Sequence, residues 1–243
     1  MMVFFSIPEF VGFLQKKVIE CQHFIIAFDL SGLVAGFHLT SLSGKSMSMV
    51  AVPIELLWAF IGLILTIIGT FLQAFITSPP WEWGHHGLQA YPLGVTYQIG
   101  AVLLVGCMGG RNAGALSQIA YLALGLSGFP VFTGGGGLNS YQDPTFGYLL
   151  GFLPGAWICG SIAFLAPPKL ESLCFSCLCG LLAIHLTGIS YLMLGHAFHW
   201  FNKFAPSLLD SLFMHSVYHI PGHLAVTCAV AVLAYAMRRL MFY

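Results

Sequence analysis

The sequence predicts an all-α, polytopic membrane protein: a six-transmembrane-helix bundle with a glycine-rich outer loop folded over a solute pocket. Three observations carry this expectation. Hydrophobic residues fill 58% of the 243 positions and charged residues only 7%, whereas a soluble domain carries about 25% charged residues. The mean hydropathy is +0.88, and apolar windows near the spanning length of about 20 residues recur along the chain. The third is the segment GGRNAGALSQIAYLALGLSGFPVFTGGGGLNSYQDPTFGYLLGF, residues 109–152, which sets four consecutive glycines, positions 134–137, between two apolar runs. Unpaired backbone groups cost several kcal/mol each in hydrocarbon, so an irregular loop among such spans has to line a cavity or lie buried in protein. A solvated linker would carry Ser, Lys and Glu. This one reads Phe129, Pro130, Val131 and Phe132 before the glycines, and Pro144, Phe146 and Tyr148 after them.

The six windows fall at about 55–77, 91–108, 113–126, 146–166, 173–198 and 217–237. The third is short, and Pro130 with the glycine loop is expected to complete its crossing. With both termini cytoplasmic, Lys45, Arg111, Lys169, Arg238 and Arg239 fall inside and only Lys203 outside, the bias that short loops impose on orientation. That arrangement gathers loop 81–89, the glycine loop and connection 200–215 on the outer face. Multi-pass residence in the plasma (inner) membrane is expected. Residues 1–50 are read as an N-terminal extension, loosely ordered or an upstream start assigned in error, because the apolar run 24–39 is short and carries Asp29 and His38, each unfavourable at a helix centre. Residues 51–243 form the membrane domain.

Several motifs bear on function. Net charge is zero and the basic residues are scattered, which excludes a nucleic-acid partner. Ser43-Gly44-Lys45-Ser46 resembles the end of a phosphate-binding loop, but the required first glycine falls at Leu39, so ATP hydrolysis would belong to partner subunits. The chain is not expected to be an enzyme. Seven cysteines form no disulfide framework, and Cys174 and Cys177 lack a second pair or neighbouring histidine to complete a tetrahedral metal set. No cofactor and no metal site is expected. His215, His219 and His223 recur every four residues, either a transition-metal row of a permease or, since Pro221 and Gly222 interrupt the helix, an interfacial turn of separately bonded rings. Gly125-Leu126-Ser127-Gly128 matches the GxSG of an intramembrane serine protease, but Ser127 ends a helix where that nucleophile should begin one. Gly62, Thr66, Gly69, Thr70 and Gln73 leave one face of the first helix without bulk, which serves either packing within the bundle or docking of a separate membrane subunit.

Four segments together carry a family resemblance. VTYQIGAVLLVG (95–106), RNAGA (111–115), YLALGLSGFPVFTGGGG and DPTFGYLLGF (143–152) resemble the BioY family, the biotin-binding S components of energy-coupling factor transporters, and the likeness resumes at Ile220-Pro221-Gly222-His223. The resemblance implies a six-helix membrane domain that binds biotin in a loop-capped pocket. It also implies a transmembrane T component and two cytoplasmic ATPase subunits as partners. Substrate contacts are expected from Phe132, Thr133, Gly134, Gly135, Asn139, Tyr148 and His223. The chain departs from the family where His223 and Val226 replace an acid and a lysine, where Leu149 replaces an arginine of some members, and near Gly136, where glycine replaces an asparagine. The same fold binding another small vitamin or precursor is the near alternative.

Overall fold

The structure is a computed structural model that describes residues 48–78, 87, 89–198, 201 and 207–241. Most of the extension read over residues 1–50, the 43–46 motif and Lys203 lie outside the described residues, as does most of loop 81–89. By its contacts the chain divides into Met1–Met49 and Val50–Tyr243, and it is the second unit that carries the features below.

Helix α1, Ser48–Phe71, is rich in Leu and Ile, and its backbone groups can be satisfied in lipid only within the helix. Leu56, Leu57, Phe60, Ile64 and Ile68 stand exposed along its outer side. The opposite face carries Gly62, Thr66, Gly69 and Thr70. The Thr66 and Thr70 hydroxyls donate to the carbonyls of Gly62 and Thr66, both at 2.8 Å, so neither threonine is left unsatisfied. A Cβ added at Gly62 would lie 2.7 Å from Val105 Cγ1, and one at Gly69 would lie 3.1 Å from the Gln98 backbone. The small-residue face is thus filled by packing within the bundle, not held free for a separate subunit.

The next segment departs from the helical expectation. Strands β1, Gln73–Thr77, and β2, Ala90–Thr96, form an antiparallel hairpin, pairing Phe75 with Pro92 and Ile76 with Tyr91. The apolar windows 55–77 and 91–108 therefore each include a strand. Hydrophobicity alone does not separate the two states, and Pro92 and Gly94 disfavour a helix through β2. Strand pairing satisfies the backbone there instead.

Helix α2, Gln98–Leu126, is one helical element interrupted at Gly110, whose backbone (φ 81°, ψ −177°) leaves the helical region. In a straight helix Gln98 and Tyr121 would stand about 35 Å apart at 1.5 Å per residue. Instead Gln98 Nε2 donates to the Tyr121 hydroxyl at 2.8 Å. A Cβ on Gly114 would lie 3.4 Å from the Gly106 Cα. The element is therefore folded back on itself into two antiparallel arms joined at Gly110. This accounts for the helix count: six were expected, and five helical segments of the described residues are long and apolar enough to cross a membrane, because windows 91–108 and 113–126 share one element.

Helices α3, Phe146–Ala163, and α4, Leu170–Ala197, follow. Gly147, Gly151 and Gly155, four residues apart, face α4, where added Cβ atoms would meet Tyr191 and Ile184. This small-xxx-small ridge lets the two backbones approach closely. After the short α5, Leu208–Leu212, capped by Ser207, one π turn over Phe213–Val217 leads into α6, Ile220–Leu240, with Pro221 in its first turn. Proline is tolerated there because its missing N–H has no intrahelical acceptor to lose.

Contacts sort the connections into two ends. At one, Gly69 meets Gln98, Gly222 meets Leu93 and Val95, and Gly147 meets Tyr191, so the β-hairpin, the glycine loop and the α5 region gather together. At the other, Asn112 donates to Glu55 at 3.3 Å, Gly160 meets the Arg111 backbone, and Arg238 Nη1 donates to the Ala163 carbonyl at 2.8 Å. Arg111, Lys169, Arg238 and Arg239 all belong to this second end.

Candidate functional site: a strapped glycine loop and its pocket

The glycine loop begins where α2 ends. Ser127 closes the helix, its Oγ donating to the Ala123 carbonyl at 2.7 Å, so it acts as a helix terminator. Two glycines set the loop's path. A Cβ on Gly125 would overlap the Phe132 ring, which packs flat against the end of α2. A Cβ on Gly136 would collide with the Phe129 carbonyl oxygen, and the neighbouring Gly137 N–H donates to the Gly125 carbonyl at 2.8 Å. An asparagine side chain at position 136 would have no room on this backbone.

Tyrosine hydroxyls tie the loop down at both sides. Tyr121, fully buried, donates to the Val131 carbonyl at 2.9 Å. Tyr191 donates to the Tyr141 carbonyl. Between them runs an aromatic series with ring centroids 5.3 Å apart for Tyr121 and Phe132, 6.4 Å for Phe132 and Phe146, and 6.0 Å for Phe146 and Tyr191. These spacings suit edge-to-face contact, which adds about 0.5–1.5 kcal/mol per pair beyond burial. Beneath the Val131 tether lies a buried polar network: Gln98 and Thr70 meet the Tyr121 hydroxyl, and Gln118 Nε2 donates to Thr66 and Ser117.

The loop borders a half-open cavity of about 520 Å³ between itself and the start of α3. Its walls include Phe132, Thr133, Gly134, Gly135 and Asn139 from the expected set. They also include Gly136, Ser140, Gln142, Asp143 and Leu149, which sequence reasoning did not choose as contacts. Asp143 Oδ1 accepts from the Thr145 N–H at 2.9 Å and hydroxyl at 2.8 Å. Its Oδ2 faces Gly134. Among the described residues, no lysine, arginine or histidine lines it.

Tyr148 and His223, the other two expected contacts, are not among the walls of this cavity. They sit in a buried cluster between α3, α4 and α6. The Tyr148 hydroxyl pairs with Ser216 Oγ of the π turn at 2.6 Å. His223 Nδ1 lies 3.3 Å from His185 Nε2, and the His219 and His223 rings stack at 5.9 Å between centroids. His215 stands apart from this pair, near the Tyr148 ring at 6.4 Å. The residue missed was His185, 7% exposed on α4. Its signal was present, since an ionisable side chain in the middle of an apolar span is costly and marks a site by default.

A multi-helix bundle whose tethered loop borders a cavity of this size fits a class, that of small-solute-binding membrane proteins, since ligand pockets run about 300–1,000 Å³. The BioY family model matches residues 85–242, and the chain belongs to the BioY family. A relative from Lysinibacillus sphaericus, described as a probable biotin transporter BioY, is 36% identical over 130 residues, covering 53% of this chain and 59% of that protein. An uncharacterised 21.2 kDa protein from Cyanophora paradoxa is 26% identical over 187 residues, covering 76% of this chain and 95% of it. A crystal structure of the S component for biotin from an ECF-type ABC transporter aligns with a TM-score of 0.57 at 24% identity, over 80% of this chain and 95% of that one. The chain is thus a multi-pass membrane protein of the fold that its sequence predicts.

Proposed function

We propose that the chain captures biotin and serves its uptake as the substrate-binding S component of an energy-coupling factor type transporter, ATP hydrolysis belonging to two partner ATPase subunits coupled through a transmembrane T component. The observation that carries this reading is the cavity built by the family's own glycine loop. Its chemistry suits a ureido ring: Asp143 Oδ2 and the Asn139 amide offer acceptors for ring N–H donors, and Phe132 and Phe146 supply an apolar wall. The Thr133 hydroxyl and the N–H of Gly134 are donors for the ligand's oxygens, while the Gly135 N–H is held by the Phe132 carbonyl at 3.0 Å. Tyr148 and His223 are proposed to meet the far end of the bound solute from the buried cluster. The loop end of the bundle is taken as the outer face and both termini as cytoplasmic, in the plasma (inner) membrane.

A second reading, the same fold taking another small vitamin or precursor, is favoured by one observation. Among the described residues, the cavity's lining offers no basic side chain to pair with a carboxylate. Calorimetry on the purified protein, titrated with biotin and then with a panel of other small vitamins, separates the two. Biotin is expected to bind, and Asp143→Asn to weaken it several-fold. Tight binding of another vitamin with no biotin binding would replace the substrate.

A further inference from the structure

Three cysteines that no sequence spacing connects meet inside the bundle. Cys107 comes from the first arm of α2, Cys159 from α3 and Cys177 from α4, and each is fully buried. Cys107 Sγ lies 3.5 Å from Cys159 Sγ and 3.4 Å from Cys177 Sγ, and the three sulfurs fall within 4.8 Å of one another. All three are free thiols. Glycines bring them together: a Cβ on Gly180 would lie 2.9 Å from Cys159 Cβ, and one on Gly106 would lie 3.3 Å from it.

The geometry points to a site for a soft monovalent cation of the copper(I) class, which we propose is held by Cys107, Cys159 and Cys177 in three-coordinate sulfur ligation. Thiolates select soft metals, and a set of three sulfurs with no His, Asp or Glu grouped with it among the described residues, the Leu103 carbonyl being bonded to Cys159 Sγ at 3.5 Å, lacks the fourth side-chain ligand that structural zinc takes. With a metal–sulfur bond of about 2.3 Å, a trigonal plane sets its sulfurs about 4.0 Å apart, so the two short separations need open by only about half an ångström. Charge is the second consideration. Three thiolates around one monovalent cation leave a net negative charge in a low-dielectric bundle, which needs compensation. Arg238 provides it nearby: this buried guanidinium donates to the carbonyl of Ala163, one helical turn beyond Cys159, and lies 4.0 Å over the Phe164 ring. Access is short as well. Cys107 precedes the Gly110 fold by three residues, Cys159 precedes the end of α3 by four and Cys177 follows the start of α4 by seven, so the three positions lie about 5–10 Å along their helix axes from that end of the bundle. The ion enters already reduced, no electron moves, and the protons displaced from the thiols pass to buffer. Once bound, it would join three helices at the end remote from the solute pocket.

The test uses the full chain, purified in detergent under reducing, anaerobic conditions and titrated with copper(I) against a chromogenic copper(I) chelator. One equivalent per chain is expected, with an X-ray absorption spectrum showing a sulfur-only shell of three. Cys107→Ser should lower the affinity at least 100-fold, while Cys174→Ser/Cys228→Ser should leave it unchanged. The wild-type spectrum decides the matter even if Cys107→Ser fails to fold. No stoichiometric uptake, a shell with nitrogen or oxygen ligands, or unchanged affinity in folded Cys107→Ser would overturn the site.

Discussion

Tyr121→Phe removes a single oxygen from the centre of the network that holds the glycine loop, and the structure sets the size of its effect. The Tyr121 ring is fully buried, and the substitution leaves its contact with Phe132 in place. What changes is hydrogen bonding. The hydroxyl accepts from Gln98 Nε2 at 2.8 Å and donates to the Val131 carbonyl at 2.9 Å, and both partners lose it together. Thr70 is spared, because its hydroxyl keeps the Thr66 carbonyl at 2.8 Å. Each buried group stranded in this way costs about 1–3 kcal/mol, so the variant should lose about 2–6 kcal/mol. For a chain of this size each kcal/mol moves the melting temperature by about 2–4 °C, which puts the expected fall at no less than about 4 °C. Thermal unfolding in detergent, followed by circular dichroism, reads the shift. Limited proteolysis should show faster cleavage near residues 131–136 at temperatures well below the melt. A variant as stable as the parent, with the loop equally resistant, would refute the view that Tyr121 anchors it.

Tyr191→Phe frees the other side of the loop at Tyr141 and should raise protease sensitivity at 138–142 while lowering the melting temperature by no more than about 6 °C, since the lost bond is worth about 0.5–1.5 kcal/mol; unchanged cleavage would count against the second tether. His223→Ala should weaken biotin binding by about 1–3 kcal/mol, the cost of an unpaired buried polar partner, with His215→Ala far milder; equal affinities in calorimetry on folded protein would take His223 out of the site. Single cysteines placed near Gly135 and Arg239 on a cysteine-free background should label from opposite sides of the membrane, and labelling of both from outside would reverse the proposed orientation. Expression from Met49 should preserve folding and ligand binding, and loss of detergent-stable protein would show that residues 1–48 are needed.

How much of this was legible depended on whether the signal was local. The glycine loop could be read because composition forces it: four glycines flanked by Phe and Pro cannot be solvated linker, and five of the seven expected contacts line its cavity. Helices α3, α4 and α6 matched their windows because each is continuous in sequence. The β-hairpin was missed because Ala90–Thr96 is as apolar as a helix would be, and strand pairing with Gln73–Thr77 is a partnership between segments. The histidine row read along α6 lacked His185, which only the crossing of α4 supplies. The three cysteines were invisible for the same reason, since residues 107, 159 and 177 obey no spacing a motif could hold. Even Gly136, first seen as a departure from the family, gained its meaning from the Phe129 carbonyl beneath it.

The reversal of α2 at Gly110 bears on how the protein reaches its membrane. At 1.5 Å per residue the two arms run about 18 Å and about 24 Å, and neither alone matches a hydrocarbon core of about 30 Å. An insertion machinery that tests segments one by one would find each arm too short to release into lipid. Together they present a closed unit whose polar residues, Gln98, Ser117, Gln118 and Tyr121, face inward, some bonded across the fold and some to α1. The pair should therefore partition as a helical hairpin only after its second half has been synthesised and, because Thr66 and Thr70 complete the network, while α1 is still at hand.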